Sequence, residues 1–206
     1  MPRPTRADLA AAAGRTIPDI LPTPLRLLVV GINPGLWSGA TGAHFARPGN
    51  RFWPALYAAG ITDHLIDATA GMAPGDRAAL EAIGLGITNL VARASARADE
   101  LSTAEIRAGA ARLERTVGAH RPRVVAIVGI GAYRTGFRRP KARPGRQPED
   151  LAGAELWVLP NPSGLNAHET VASLAEAYGA AADAAGIVRR TDGCRVDGRR
   201  TGGLSD

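Results

Sequence analysis

Short, unbroken apolar runs recur along the chain, and glycine, proline or charged residues bound each of them. Such runs are typical of the buried strands of a parallel sheet, because both faces of these strands are covered. The pattern predicts strands at 26–30, 86–91, 123–128 and 155–159. A fifth strand is expected near 61–70 or is absent.

Between these runs, apolar residues recur at the 3.6-residue period of packed helices. Asn50 is positioned to cap a helix at 51–59, and Ser102 and Glu105 have capping-box spacing. Further helices are predicted at 74–83, 130–137 and 169–185. Strands that alternate with helices predict an α/β fold: a three-layer sandwich with a central, mainly parallel sheet of four to five strands, flanked by helices.

Composition divides the chain into three expected segments. Residues 1–24 are proline-rich at both ends and form an N-terminal extension, and 25–188 form the main domain. Residues 189–206 are rich in glycine and arginine without periodicity, so a disordered basic tail is expected. At 206 residues and 45% hydrophobic content, the chain is long enough to bury one substantial core.

The charge balance favours a polyanionic partner, because the formal net charge is +6. The single cysteine, Cys194, excludes an internal disulfide and a multi-cysteine metal or iron–sulfur site. No apolar run is long enough for a membrane span, and the N-terminus has no signal-peptide core. We therefore expect a cytoplasmic protein without a membrane partner.

The first predicted strand ends in Gly31-Ile32-Asn33-Pro34-Gly35, an abrupt turn. Open α/β sheets bind ligands at the carboxyl ends of their strands, so a carboxamide at Asn33 is well placed for chemistry. Alternatively, Asn33 only starts the turn, because asparagine tolerates turn conformations. Asn89, near the end of the second strand, likewise has two possible roles: its amide could bind the backbone or contact a ligand.

Residues 36–50 are predicted to form a long, glycine-containing loop that carries His44 and Phe45. A loop of this length inside a compact domain is usually functional. A basic stretch at 134–146 contains no acidic residue. It is expected to be a solvated, disordered loop without its partner, and its Arg138, Arg139 and Lys141 are candidates for phosphate contacts.

Two motifs together resemble one enzyme family. The first is GINPGLWSGATGAHFARPGNRFW at 31–53, and the second is LPNPSGLN at 159–166. They resemble, in the same order, motifs of the mismatch-specific uracil/thymine-DNA glycosylases, a branch of the uracil-DNA glycosylase superfamily. With the intervening GITNLV, the resemblance covers roughly 25–185.

This resemblance implies a monofunctional DNA glycosylase that flips uracil, and in one alternative thymine, out of a mismatch with guanine and removes it hydrolytically. Asn33 would position the attacking water, and Phe45 would stack on the extruded base. The implied base pocket comprises Ile32, Gly35, His44, Phe45 and Asn89. The implied wedge and duplex contacts are Asn161, Ser163, Gly164, Leu165 and Asn166. His44 and Asn89 are more similar to the thymine-processing branch.

Some positions depart from the family pattern. Trp37 is bulkier than the small residue expected beside the catalytic turn, and Asn166-Ala167 replaces a serine–arginine pair. Asn166 could also cap the following helix, because Glu169 lies at capping-box spacing, and this role is compatible with a duplex contact. The expected partner is double-stranded DNA, bound by a monomer associated with the nucleoid, with no cofactor and no metal. The alternatives are a glycosylase for another deaminated base such as hypoxanthine, or a non-catalytic DNA-binding module.

Overall fold

The computed structural model of the protein describes residues 3–164, 166 and 169–190. The strands are β1 (Leu27–Gly31), β2 (Leu85–Asn89), β3 (Val124–Val128), β4 (Gly145–Leu151) and β5 (Ala154–Leu159). The helices are α1 (Arg6–Ala11), α2 (Leu36–Thr41), α3 (Phe52–Ala58), α4 (Pro74–Ala82), α5 (Thr103–His120), α6 (Ile130–Gly136) and α7 (Val171–Ala184). A short 3-10 helix, Ala98–Glu100, precedes α5.

The strands form one five-stranded sheet in the order β2-β1-β3-β5-β4. Strands β1, β2, β3 and β5 are parallel, and β4 pairs antiparallel with β5. At the centre, Val29 of β1 lies between Ile87 of β2 and Ala126 of β3. The predicted α/β fold and the four apolar strands are confirmed.

The fifth strand is not at 61–70 but at Gly145–Leu151, so it begins at the end of the basic stretch 134–146 that is predicted to be a disordered loop, and it continues beyond that stretch. Only Gln147 and Leu151 of this strand are buried. The pairing with β5 is also irregular between Arg146 and Asp150. Charged residues and proline are typical of protected edge strands. Because they occupy most positions of β4, its sequence lacks the alternation of apolar and polar residues by which a strand is usually predicted.

Alternate residues of β1 face opposite sides of the sheet, as strand geometry requires. Leu27 and Val29 belong to one core cluster, and Leu28 and Val30 to the other. Side chains of α3 and α7 complete the first cluster: Phe52, Leu56, Leu174 and Tyr178. Side chains of α5 and α6 complete the second: Leu113, Val117, Ala132 and Tyr133. The sheet is therefore the middle layer of a three-layer sandwich.

The start of α5 follows the polar residues that the sequence indicates, whereas α3 starts one residue later than predicted. Ser102 and Glu105 form the expected capping box at the start of α5. The Oδ1 of Asn50 accepts a hydrogen bond from the backbone N–H of Phe52 at 2.9 Å, but the N-cap of α3 is Arg51, without a side-chain cap, so the predicted cap at Asn50 lies one residue too early. The predicted loop at 36–50 is wrong in its first part, where α2 forms and ends at Gly42 with a positive φ of 71°.

Asn166 does not cap the following helix, which was the alternative role for this residue. Helix α7 begins after Thr170, whose side chain accepts from the backbone N–H of Ser173, and this pair forms the capping box. Asn166 lies earlier, where its Nδ2 donates to the carbonyl of Asn161 at 3.2 Å. Thr170 accepts a hydrogen bond from a free backbone N–H at the start of α7, so Asn166 is not needed as a cap and belongs to the loop.

The two ends of the described chain pack against the main domain. Ile20 pairs with Ile87 through both backbone hydrogen bonds, at 2.9 and 2.8 Å. The backbone N–H of Arg190 donates to the carbonyl of Gly60 at 2.8 Å. The predicted tail from 191 onward lies outside the described residues. Among the helices that the structure describes, none has the length and apolar character needed to span a bilayer.

Candidate active site

The polar residues singled out in the sequence converge on one edge of the sheet. Asn33 follows the end of β1, Asn89 is the last residue of β2, and Asn161 follows the end of β5. Since these strands are parallel neighbours or next neighbours, their carboxyl ends meet at this edge. Ligands of open α/β sheets bind at such an edge.

The amide of Asn33 has a fixed orientation. Its Nδ2 donates to the carbonyls of Pro34 and Arg93 at 3.0 and 3.2 Å, and to the Oγ of Ser95 at 2.8 Å. Carbonyl oxygens can only accept, so the nitrogen and not the oxygen of the amide must face them. Within the described part of the chain, Oδ1 of Asn33 has no hydrogen-bond partner, so it remains available as an acceptor.

The backbone around Asn33 is aligned by the segment that follows β2. Leu90 and Val91 donate to the carbonyls of Gly31 and Ile32 at 2.8 and 2.9 Å. Further along, the N–H of Ser95 donates to the carbonyl of Pro34 at 3.1 Å. Ser95 is buried, and its hydroxyl donates to the Arg97 carbonyl at 2.7 Å. That donation leaves its oxygen free to accept from Asn33. Ser95 is not predicted from the sequence, because its only signal is that of a small polar residue shortly after a strand.

His44 is buried with only 3% of its surface exposed, although it lies on the predicted loop. Burial lowers its pKa to about 4, and the Pro18 carbonyl at 3.1 Å from Nε2 acts in the opposite direction. At neutral pH the imidazole is therefore uncharged. Because Pro18 can only accept, Nε2 carries the proton and Nδ1 accepts from Nδ2 of Asn89 at 3.4 Å. The structure thus brings His44 and Asn89 into contact.

Gly31 is required beside this pair. A Cβ at Gly31 would lie 2.5 Å from Oδ1 of Asn89 and 3.5 Å from the Cζ of Phe45. Real Cβ atoms do not approach polar oxygens so closely, so any side chain here would displace the Asn89 amide. The glycine at the end of β1 therefore lets Asn89 and Phe45 approach the strand.

Phe45 stacks on Phe52 with a centroid separation of 3.9 Å and an interplanar angle of 22°. Its backbone has a positive φ of 53°, which is uncommon for an aromatic residue and is often found at functional sites. The ring is half-buried over the end of β1. It is therefore anchored by Phe52 on one face, and its edge approaches the same side of Gly31 as the amide of Asn89.

The other implied pocket residues lie around the same turn. Ile32 is half-buried, and its Cδ1 would lie 3.1 Å from a Cβ at Gly129, after β3. Gly35 is exposed and precedes the first turn of α2. The bulk of Trp37 is accommodated by the link after α3, where its Nε1 donates to the carbonyl of Thr69 at 2.8 Å.

The loop after β5 has local order of its own. Oδ1 of Asn161 accepts from the backbone N–H of Ser163 at 3.0 Å. The N–H of Asn166 donates to the Ser163 carbonyl at 2.9 Å, and a Cβ at Gly164 would lie 2.7 Å from the carbonyl of Gly49. The implied wedge Leu165 and the neighbouring Ala167 lie outside the described residues.

Comparison with known proteins identifies the family. Residues 18–182 match the profile of the Uracil DNA glycosylase superfamily. The chain belongs to this superfamily. The structure is also similar to the solution NMR structure of a protein from Methanosarcina acetivorans that is provisionally described as a uracil DNA glycosylase, with a TM-score of 0.52. The sequence identity is 18%, and the match covers 80% of this chain and 98% of that chain, so it supports the fold.

Membership of the uracil DNA glycosylase superfamily supports a DNA glycosylase with DNA as its partner. The roles of individual residues depend on the geometry at the carboxyl edge of the sheet.

The basic stretch at 134–146 is ordered, and ion pairs neutralise part of its charge. The prediction of a disordered loop is therefore wrong. Arg139 forms an ion pair with Glu149 at 2.6 Å, which raises the pKa of Arg139 and lowers that of Glu149. Arg134 donates to the carbonyl of Ala142. By contrast, no hydrogen bond or ion pair within the described chain holds the side chains of Arg138, Lys141 or Arg143. The ion pair between Arg139 and Glu149, an acidic residue just beyond the basic stretch, helps to order this segment.

A cavity of about 430 Å³ against β4 is lined by five basic residues: Arg138, Arg139, Lys141, Arg143 and Arg146. Gly145, the first residue of β4, pairs with Val158, the next-to-last residue of β5. The basic segment therefore enters the sheet at the same end as Asn33 and Asn161. This placement suits contacts to the DNA backbone near the candidate active site.

Proposed function

We propose that this protein is a mismatch-specific DNA glycosylase that removes uracil mispaired with guanine from double-stranded DNA. It acts as a monomer, without a cofactor, and leaves an abasic site. The observation that carries the proposal is the fixed amide of Asn33: Nδ2 is occupied by three acceptors, and Oδ1 is an available acceptor.

In this mechanism, Oδ1 accepts a hydrogen bond from water and directs the water oxygen toward C1′ of the deoxyribose. The bond from the water oxygen to C1′ forms as the glycosidic bond breaks, and the electron pair leaves with the base. The proton of the water passes to solvent, since a carboxamide is too weak a base to take it. Asn33 contributes by positioning, which accounts for large rate effects when the geometry is maintained.

The departing uracil anion requires preorganised hydrogen-bond donors. Backbone N–H groups around Ile32 to Trp37 and at Phe45 are the candidates at this edge. The amide of Asn89 would read the base edge, because its contact with His44 holds it in place. An uncharged His44 maintains that contact without placing a buried charge beside the base.

Extrusion of the base from the stack costs a few kcal/mol, and less for a mispaired base. Phe45 would stack on the extruded uracil, supported from behind by Phe52. Leu165 would enter the duplex as an apolar wedge, with Asn161, Ser163, Gly164 and Asn166 contacting the neighbouring strand. Arg138 and Lys141 would bind phosphates.

Reaction ends at the abasic site in this proposal. A lyase step through a Schiff base needs an amine nucleophile, which is usually lysine. The only lysine in the sequence is Lys141, and it lies in the basic stretch rather than in the motifs at 31–53 or 159–166. Strand cleavage should therefore require added alkali.

Thymine opposite guanine is a second candidate substrate. It is favoured by the contact between His44 and Asn89, the pair that resembles the thymine-processing branch. Both candidates use the same water and the same Asn33. They differ in whether the pocket accepts the additional methyl group.

The test uses duplex oligonucleotides with uracil, thymine or hypoxanthine opposite guanine, incubated with the protein and then treated with alkali. We expect cleavage at uracil in the G:U duplex and none without alkali. Cleavage only at hypoxanthine would assign the protein to another substrate class. Binding of all three duplexes without cleavage would instead indicate a non-catalytic DNA-binding module.

A further inference from the structure

Residues 49–51 contact the loop after β5, which carries the proposed wedge. The backbone N–H of Arg51 donates to the carbonyl of Pro162 at 2.9 Å. The close approach of Gly164 to the carbonyl of Gly49 adds a second contact between the same two segments. The loop is therefore attached to the segment immediately before Phe52, the residue on which Phe45 stacks.

The guanidinium of Arg51 holds this loop through its backbone. One terminal nitrogen donates to the carbonyl of Glu169, and the other donates to the carbonyls of Ser163 and Asn166, both at 2.6 Å. Three backbone carbonyls of the described loop residues therefore converge on one guanidinium group. Such bonds are charge-assisted and stronger than bonds between neutral groups.

The buried position of the Arg51 guanidinium is energetically unfavourable in one respect. Nε of Arg51 is buried without a hydrogen-bond partner among the described residues. No carboxylate forms an ion pair with Arg51 in the described part of the chain. A buried donor without a partner costs free energy, so its presence in a folded protein calls for an explanation. We look for that explanation in the contacts of the two terminal nitrogens.

We propose that Arg51 is a positioning residue that holds the backbone of Ser163, Asn166 and Glu169 in the arrangement from which the loop after β5 enters the duplex. This inference depends on the proposed function, because the loop needs a defined shape only if it replaces an extruded base. A loop that is ordered before binding loses less conformational freedom on insertion. Because Arg51 precedes Phe52, the same contact links the insertion loop to the aromatic side of the base pocket.

Lysine cannot reproduce this arrangement. The planar guanidinium directs two terminal nitrogens to different acceptors, whereas the ammonium group of lysine is a single compact donor on a flexible stem. Arg51→Lys therefore retains the positive charge but loses the two separate terminal nitrogens that reach different carbonyls. Arg51→Met removes both. Arg47→Met is a matched control, because Arg47 is an exposed arginine on the same segment with no described side-chain hydrogen bond.

The experiment measures amide hydrogen exchange of the free protein and single-turnover release of uracil from a G:U duplex. In Arg51→Lys and Arg51→Met, exchange in peptides spanning 161–170 should accelerate by about tenfold or more, the effect of losing one charge-assisted hydrogen bond. Exchange in β3 should not change. Uracil release should slow by about tenfold, and affinity for an undamaged duplex should change by less than about twofold. Arg47→Met should leave exchange at 161–170 unchanged.

Slower release without faster exchange at 161–170 would overturn the proposal, as would faster exchange throughout β3 as well. Faster local exchange with unchanged release would overturn it too, since the shape of the loop would then not affect the reaction. If the wild-type protein releases no uracil, the proposed function is wrong. In that case the exchange measurement alone still shows whether Arg51 holds the loop.

Discussion

The Nδ2 of Asn33 lies 2.8 Å from the Oγ of Ser95, a buried serine in the segment that follows β2. This contact joins the turn after β1 to the segment after β2, and it fixes Nδ2 rather than Oδ1 of Asn33 against these acceptors. The orientation of the proposed water-binding group therefore depends on a residue outside both sequence motifs.

Ser95→Ala removes one of the three acceptors of the Asn33 amide. The carbonyls of Pro34 and Arg93 remain, so the amide should keep its average orientation and become less strictly held. We expect uracil release to slow by about tenfold, the usual effect of removing one buried hydrogen bond. Single-turnover release from a G:U duplex measures this effect, and an unchanged rate would show that Ser95 does not position Asn33.

Strands β1, β2, β3 and β5 could be predicted because each is an apolar run bounded by turn residues. Strand β4 could not, because its exposed edge carries charges and Pro148. Helix α2 was missed because its glycine and serine weaken the helical signal. For these two elements, tertiary packing determines the structure more than local propensity does.

At the candidate site, Asn33, His44, Phe45 and Asn89 could be singled out from the motifs. Their orientation could not be predicted, because it depends on contacts between residues far apart in sequence. Pro18 holds the ring of His44, and Ser95 holds the amide of Asn33. Neither residue belongs to a motif, and neither contact leaves a periodic signal in the sequence.

Acid should destabilise the fold through His44. Its pKa is about 4 in the folded protein and 6.5 ordinarily, so the unfolded chain binds the proton more readily. The contribution of His44 to stability is complete above about pH 6.5 and decreases as the pH falls toward 4, by about 3 kcal/mol in total.

Urea unfolding of the wild-type protein and of His44→Gln between pH 7 and 4 measures this dependence. The difference between the two proteins isolates His44 from the carboxylates and from His64. The pKa of His64 is raised by its hydrogen bonds to Asp76 and Asp63, so its contribution has the opposite sign. The wild-type protein should lose more stability than the variant over this range. Parallel curves would mean that His44 is not buried in its neutral form.

The salt dependence of DNA binding should identify the phosphate contacts in the basic stretch. Replacing Arg138, Lys141 and Arg143 with alanine removes cations that have no described protein partner. The slope of log K against log salt should decrease by roughly 0.9 for each phosphate that is no longer neutralised. The preference for uracil over thymine should not change, because phosphate contacts carry no sequence information.

Arg139→Ala is the matched control, since Glu149 already pairs with this arginine. It should change the slope much less than the triple variant does. Fluorescence anisotropy with an undamaged duplex over a range of salt concentrations gives both slopes. Equal slopes for the wild-type protein and the triple variant would show that this segment does not contact DNA.

The most direct test of the proposed mechanism is single-turnover release of uracil from a G:U duplex by Asn33→Ala, alongside equilibrium binding of the same duplex. The variant loses the water-binding oxygen, whereas Arg51 and the basic stretch are unchanged. We predict that release slows by about a hundredfold or more and that affinity remains within about threefold of the wild-type value. Release by Asn33→Ala at close to the wild-type rate would contradict the mechanism.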